Sequence, residues 1–245
     1  MGRGRKYILT TAAGNIGFAA SYWIFPQSYR FYRIQKRLFN AAFRHGAPVV
    51  EEPQYSPDTV VIQGFRHSGN LFIESNVVTE DRYRIPNVRH RPWIVKSAVE
   101  HGLPVVMLIR HPKDVAASAV YRTTNDHHPN QPFRIYPWAV LCAWIGYYRS
   151  VMRFRQSLHV LPLDLIASDY AACSRAIKDR TGVRMNADPN WDRVNRYSGD
   201  RWELHLSWLS QLLLRKAEAI YHLLVSCSVE APASSKNGSR PASTT

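Results

Sequence analysis

Acidic residues are missing where basic ones are dense. Residues 1–50 contain no Asp or Glu, yet they carry Arg3, Arg5, Lys6, Arg30, Arg33, Lys36, Arg37 and Arg44. More than half of the chain's net charge of +14 therefore lies outside the region that carries the motifs described below. Cysteine is scarce as well. Cys142, Cys173 and Cys227 are odd in number and unclustered, which argues against a disulfide framework or a thiolate zinc site and makes a reducing compartment the simpler setting. No internal repeat is visible, and no carboxylate cluster offers a metal site. The positive charge comes without a helix-turn-helix, zinc or RNA-binding signature, so nucleic acid is disfavoured as a partner.

What is present is a globular composition. Of 245 residues, 45% are hydrophobic and 12% aromatic, enough for one sizeable α/β core and unlike a disordered chain. A pI near 10.0 suits nucleic acid, an anionic membrane surface or an anionic small molecule. Residues 7–25 are uncharged and just long enough to cross a bilayer. Thr10, Thr11, Asn15 and Ser21 dilute that stretch, while Gly14 and Gly17 loosen it. Three readings stay open: a signal anchor, an interfacial helix, or an N-terminal helix packed on the domain. In residues 27–44, Phe31, Ile34, Leu38, Phe39 and Phe43 alternate with cations. This predicts a basic amphipathic helix that would lie on an anionic membrane with its cations toward lipid phosphates. The plainer reading is a helix with solvated cations. The location is accordingly cytoplasmic or membrane-associated.

The rest of the chain alternates short apolar runs with helical patterns. Residues 47–58, with three prolines and two glutamates, read as a linker. Strands are expected at 59–64, 104–109 and 158–163, with an extended segment over 83–91. Helices are expected at 70–79, 92–101, 112–124, 134–155, 169–181 and 202–224. The polar loop 125–132 is a candidate lid. Residues 226–245, rich in Ser, Ala and Pro, are expected to be disordered. Such alternation predicts a three-layer α/β/α domain over 56–225 with a central parallel sheet, preceded by the basic aromatic segment 1–50.

Two strand-to-helix turns concentrate the chemistry. The first, Gly64 to Gly69, places Arg66, His67 and Ser68 after an apolar run. Glycine lets backbone N–H groups approach an anion, and the helix that follows turns its positive end toward it. Without a Gly-Lys-Ser/Thr ending this is no Walker A loop, and alone such a turn is structural more often than functional. The second turn sets Arg110 at a strand's end, Pro112 in the first helical turn, Asp114 beside the helix N-terminus and Ser118 two turns in. Its plainer reading is a well-made helix start with an exposed Arg. In an open parallel sheet, ligands bind beyond the carboxyl ends of the strands, so the two turns together suggest a ligand with more than one anionic group.

Here the sequence resembles the sulfotransferases that use 3′-phosphoadenosine 5′-phosphosulfate (PAPS). Arg110, Pro112, Asp114 and Ser118 match the family's Arg-x-Pro-x-Asp-x-x-x-Ser pattern. The family's phosphosulfate loop is matched by Ser68 and Gly69. Asn70 stands at the first Thr, Leu71 at the second, and Phe72 at the aromatic position that stacks on adenine. His90, in His90-Arg91-Pro92, is similar to the family's His-x-Pro general base, with Val88 where the family has Lys. The resemblance covers residues 59–224. It implies a P-loop NTPase-like sulfotransferase fold, PAPS as donor, no metal, and a hydroxyl- or amine-bearing acceptor (carbohydrate, lipid or small molecule). It also implies that Arg110 and Ser118 hold the 3′-phosphate, and that Arg193 or Arg196 supplies a late cation. His67 stands where the family has Lys or Arg, the cation that stabilises the departing phosphate. An imidazole N–H, His⁺ (unperturbed pKa about 6.5) or Arg66 would have to replace it.

Two other classes stay open. One is a nucleotide-binding protein of the same fold with impaired transfer, and the other is a basic protein that binds membranes or nucleic acid. Trp138, Trp144, Tyr147 and Tyr148 would line an acceptor pocket on the first reading, although at helical spacing such residues are more often core.

Overall fold

The computed structural model describes residues 3–23, 28–30, 32–34, 37, 41, 55–78, 90–125, 134–189, 191 and 206–229. Its centre is a parallel sheet of β1 (Val61–Gly64), β3 (Val105–Ile109) and β4 (Leu158–Pro162), in the order β1-β3-β4. Val61 lies opposite Val105 and Gly64 opposite Leu108, while Ile109 lies opposite Pro162. The three carboxyl ends are thereby side by side along one edge.

These runs are apolar at nearly every position because both faces of the sheet are covered. Alternate side chains enter opposite cores. Val61, Val105, Met107, Ile109, Leu158 and Val160 enter one, and Ile62, Val106, Leu108 and Leu161 the other. The first core is closed by α3 (Pro92–Glu100), α4 (Pro112–Asn125), α5 (Pro137–Met152) and α8 (Trp208–Val229), through residues such as Ile94, Val115, Trp144 and Leu224. The second is closed by α2 (Asn70–Asn76), α6 (Leu163–Ser168) and α7 (Tyr170–Thr181), through Phe72, Ile73, Ile166, Cys173 and Ile177. The chain is an α/β protein with a parallel sheet between two helical layers.

The helix α1 (Arg3–Ala20) packs on α5. Asn15 is buried at its centre and joins it to the domain. Its Nδ2 donates to the Arg134 carbonyl at 2.8 Å, and its Oδ1 accepts from the Tyr136 N–H at 2.8 Å. Beyond the helix, the Trp23 indole donates to the Cys142 carbonyl at 2.7 Å. The stretch is thus a helix that packs on the domain. No helix among the described residues is long and apolar enough to cross a membrane.

Element boundaries shift where tertiary pairing overrides local pattern. The helix expected over 70–79 ends at Asn76, because β2 (Val77–Val78) pairs antiparallel with β5 (Arg184–Met185). The last helix runs from Trp208 to Val229, so residues 226–229 are helical where disorder was expected. The helix expected over 169–181 is α7, an additional short helix, α6, precedes it, and Asp169 caps α7 by accepting from the Ala172 N–H at 2.9 Å. Residues 79–89, the loop 126–133 and the tail 230–245 lie outside the described residues, as does most of the linker.

Candidate anion and proton-transfer site

The turn leaving β1 is held by its neighbours more than by its own sequence. Gly64 is required because a Cβ there would stand 2.6 Å from the Leu108 carbonyl oxygen of β3. Phe65 is buried against Tyr22 and Tyr147 in edge-on contacts of 5.3 and 5.8 Å. The chain then turns back, with the Ser68 N–H donating to the Phe65 carbonyl at 3.2 Å. His67 passes through the left-handed region at φ 66° and Gly69 at φ 86°. Leu71 follows in α2, and its side chain is outside the described set.

Beneath the turn, Tyr148 of α5 acts as a post. Its hydroxyl donates to the Leu108 carbonyl at 2.7 Å and accepts from the Phe65 N–H at 3.3 Å. Ser68 Oγ lies 3.5 Å from the same oxygen. Burial pushes the phenol far above its ordinary pKa, so it stays a neutral donor.

The second turn reaches across to the first. Arg110 Nη1 donates to the His67 carbonyl at 3.3 Å, and Ser118 Oγ lies 3.2 Å from His67 Nδ1. Burial lowers the Arg110 pKa, while Asp114 and Asp164 act in the opposite sense. Arg122 stands one helical turn beyond Ser118, on the same face of α4. His67 feels all of this. Burial of its ring, then Arg122, Arg66, His90 and Arg110, push its pKa well below the ordinary histidine value. At neutral pH it is uncharged, so His⁺ is not what the loop offers. The positive field at the turn comes from the surrounding guanidiniums. Arg66 is exposed, with its guanidinium 6.0 Å from the centre of the Phe18 ring of α1.

His90 joins the same turn from just ahead of α3. Its Nδ1 lies 2.9 Å from the Gly64 carbonyl oxygen and 2.9 Å from Asn70 Nδ2. The carbonyl can only accept and the amide nitrogen can only donate, so the two contacts select opposite tautomers. Asn70 Nδ2 also lies 3.2 Å from the Gly64 oxygen. With Nδ1–H on Gly64, the His90 Nε2 is left as a base. His90 has φ 64°, and it and His67 are the positive-φ residues other than glycine among those described. Strain of this kind, about 1–3 kcal/mol per residue, gathers at functional sites.

The sequence-derived residues thus meet around one turn, with three exceptions. Phe72 lies in the second core, 2% exposed and stacked on Trp191 at 5.1 Å and 27°. Arg193 and Arg196 are outside the described residues. The sequence reading missed Tyr148 as a loop support and missed Arg122. The i, i+4 spacing from Ser118 signals Arg122, but nothing local signals that Tyr148 contacts residues 65 and 108. Trp144, Tyr147 and Tyr148 are fully buried core residues. No group of three or more His, Cys, Asp or Glu side chains among the described residues is placed to hold a metal. No protein-family model and no curated protein matches the chain.

Proposed function

We propose that the protein transfers a sulfuryl group from PAPS to a hydroxyl or amine of an acceptor, on a P-loop-type sulfotransferase fold. One observation carries this reading: Arg110, Ser118 and His90, from separate stretches of sequence, all come within 3.3 Å of the turn from Gly64 to Asn70. A two-ended anion needs such convergence. Arg110 and Ser118 would hold the 3′-phosphate, with Arg122 adding field. The backbone of residues 67–70, with the Ser68 hydroxyl, would hold the phosphosulfate.

The donor supplies the activated group: the acceptor oxygen bonds to sulfur as the sulfur–oxygen bond to the 5′-phosphate breaks, and its electron pair departs on adenosine 3′,5′-bisphosphate. His90 Nε2 takes the acceptor's proton when Nδ1–H is fixed on the Gly64 carbonyl. The leaving charge is met by guanidiniums, because His67 is neutral.

Incubation with PAPS and a panel of hydroxyl and amine acceptors tests this, with released bisphosphate as the readout. Turnover that requires both His90 and Arg110 supports it. The neutrality of His67 favours a second reading, a nucleotide-binding protein with impaired transfer, which predicts bisphosphate binding without turnover. Binding to liposomes or DNA that survives Arg110→Ala, without bisphosphate affinity, would leave only a basic surface-binding protein.

A further inference from the structure

Helices α1 and α8 both pack on α5. α5 leads through residues 155–157 into the start of β4, and Tyr148 within it reaches the Leu108 carbonyl near the end of β3. The first half of α5 therefore projects beyond the carboxyl edge of the sheet. α8 runs in the same direction, since Lys216 acts on the Cys142 thiol and Tyr221 on the Tyr148 phenol. Tyr221 also donates to Asp164 Oδ2 at 3.3 Å, just past the end of β4, which sets it level with that edge. At about 1.5 Å per residue, Trp208 then stands about 20 Å further out. The start of α8 overhangs the end of the molecule where the anion site opens.

That overhang is apolar and basic. Trp208 is 77% exposed and Leu212 58%, and with Lys216 they form one stripe along the helix. Where Lys216 approaches Cys142, Trp23 arrives from beyond α1, half-exposed, with its indole on the Cys142 carbonyl. The Arg149 guanidinium lies 5.4 Å from the centre of the Trp23 ring. Arg149, Arg215 and Lys216 are all exposed. Against these cations, the sequences of α1, α5 and α8 hold one carboxylate, Glu218, which stands 3.7 Å from His111 Nε2.

We infer that this end is a docking surface for an anionic lipid bilayer, resting on the interface without crossing it. Tryptophan and leucine enter the headgroup boundary, while Arg and Lys reach lipid phosphates on their long stems. The charge selects this occupant. A two-fold related copy would bring a second set of the same cations onto the patch, whereas an anionic surface pairs with them. Residues 230–245 contain no Leu, Ile, Val, Met or aromatic residue, so the tail has no large apolar side chain with which to cover Trp208 and Leu212. Docked in this way, the carboxyl edge of the sheet is held toward the bilayer. The inference stands independently of the sulfuryl-transfer reading.

Sedimentation of the full chain with phosphatidylcholine vesicles, alone or with about one third phosphatidylserine, tests it. Binding to the anionic vesicles is expected to be at least about tenfold tighter than to the neutral ones, and to fall at high salt. Trp208→Ser/Leu212→Ser and Arg215→Glu/Lys216→Glu should each weaken it about tenfold or more. Both double variants change exposed positions, so the urea midpoint of the parent is kept. Brominated lipid should quench the fluorescence of the parent more than that of Trp208→Ser. Equal binding to neutral vesicles overturns the inference. So does unchanged binding in both double variants, which would move the contact to the basic segment 27–44. Parent dimers that Trp208→Ser/Leu212→Ser dissolves, without vesicle binding, would give the face to a second copy and overturn it as well.

Discussion

The exit from β3 runs straight into a helix: Ile109 is followed by Arg110, His111 and Pro112 at the first helical position of α4. The exit from β1 reaches its helix only through left-handed His67 and Gly69, over a buried Phe65 pinned by a tyrosine eighty-three residues away. The first is specified locally and the second by tertiary contact. Yet their side chains and backbone interlock, with Arg110 and Ser118 both on His67. The regular turn supplies the cation, and the irregular one supplies the shape. If that division is right, variants at the two exits should fail differently.

The largest effect belongs to His90. His90→Asn retains a residue tolerant of φ 64° but removes the proposed base, so on the transfer reading turnover should fall by about 10²–10⁴ with bisphosphate affinity unchanged. Parallel loss of both would make His90 a support of the loop only. Next comes Tyr148→Phe, which strips the β1 exit of its post and leaves the Phe65 N–H buried and unpaired. It should cost about 1–3 kcal/mol of folding stability, read from the urea midpoint at constant m-value.

Acid should weaken the fold, partly through the same exit (His67) and partly through β4 (His159). The folded-state pKa values of His67 and His159 are depressed, His159 to about 4, chiefly by burial. The unfolded chain takes up those protons first. Their contribution is therefore complete above about pH 6.5 and is lost as pH falls through the window toward the folded values. Each histidine contributes a slope of at most about 1.4 kcal/mol per pH unit, and both rings are only part-buried. Denaturation midpoints at pH 8, 6.5 and 5 should show this decline, with a shallower slope in His67→Asn; an identical slope would remove His67 from the explanation. The smallest effect falls on the regular exit. Pro112→Ala should change stability by less than about 1 kcal/mol, and a larger loss would mean that this turn also depends on distant contacts.

Legibility in the sequence follows the same division. The three parallel strands were readable because Val60–Ile62 and Val105–Ile109 are continuous apolar runs and Leu158–Leu161 is broken only by His159, a pattern that suits a sheet covered on both faces. The Arg110–Ser118 turn was readable because strand end, proline, acid and hydroxyl follow one another at fixed spacing. The charge at the β1 exit was not, since the state of His67 depends on burial and on Arg122, Arg66 and Arg110 around it. Nor was the end of α2, because Val77 pairs with a strand more than a hundred residues later. The packing partner of the uncharged N-terminal stretch was hidden for the same reason, since the hydrogen bonds of Asn15 that seat it run to residues 134 and 136.

Calorimetric titration with adenosine 3′,5′-bisphosphate, comparing the parent chain with Arg110→Ala, bears most directly on the joining of the two exits into one anion site. A lost charge-assisted contact of about 1.5–3 kcal/mol predicts saturable binding by the parent, weakened at least tenfold in the variant while the fold is retained. Equal affinity in both chains, or none in the parent, would contradict it.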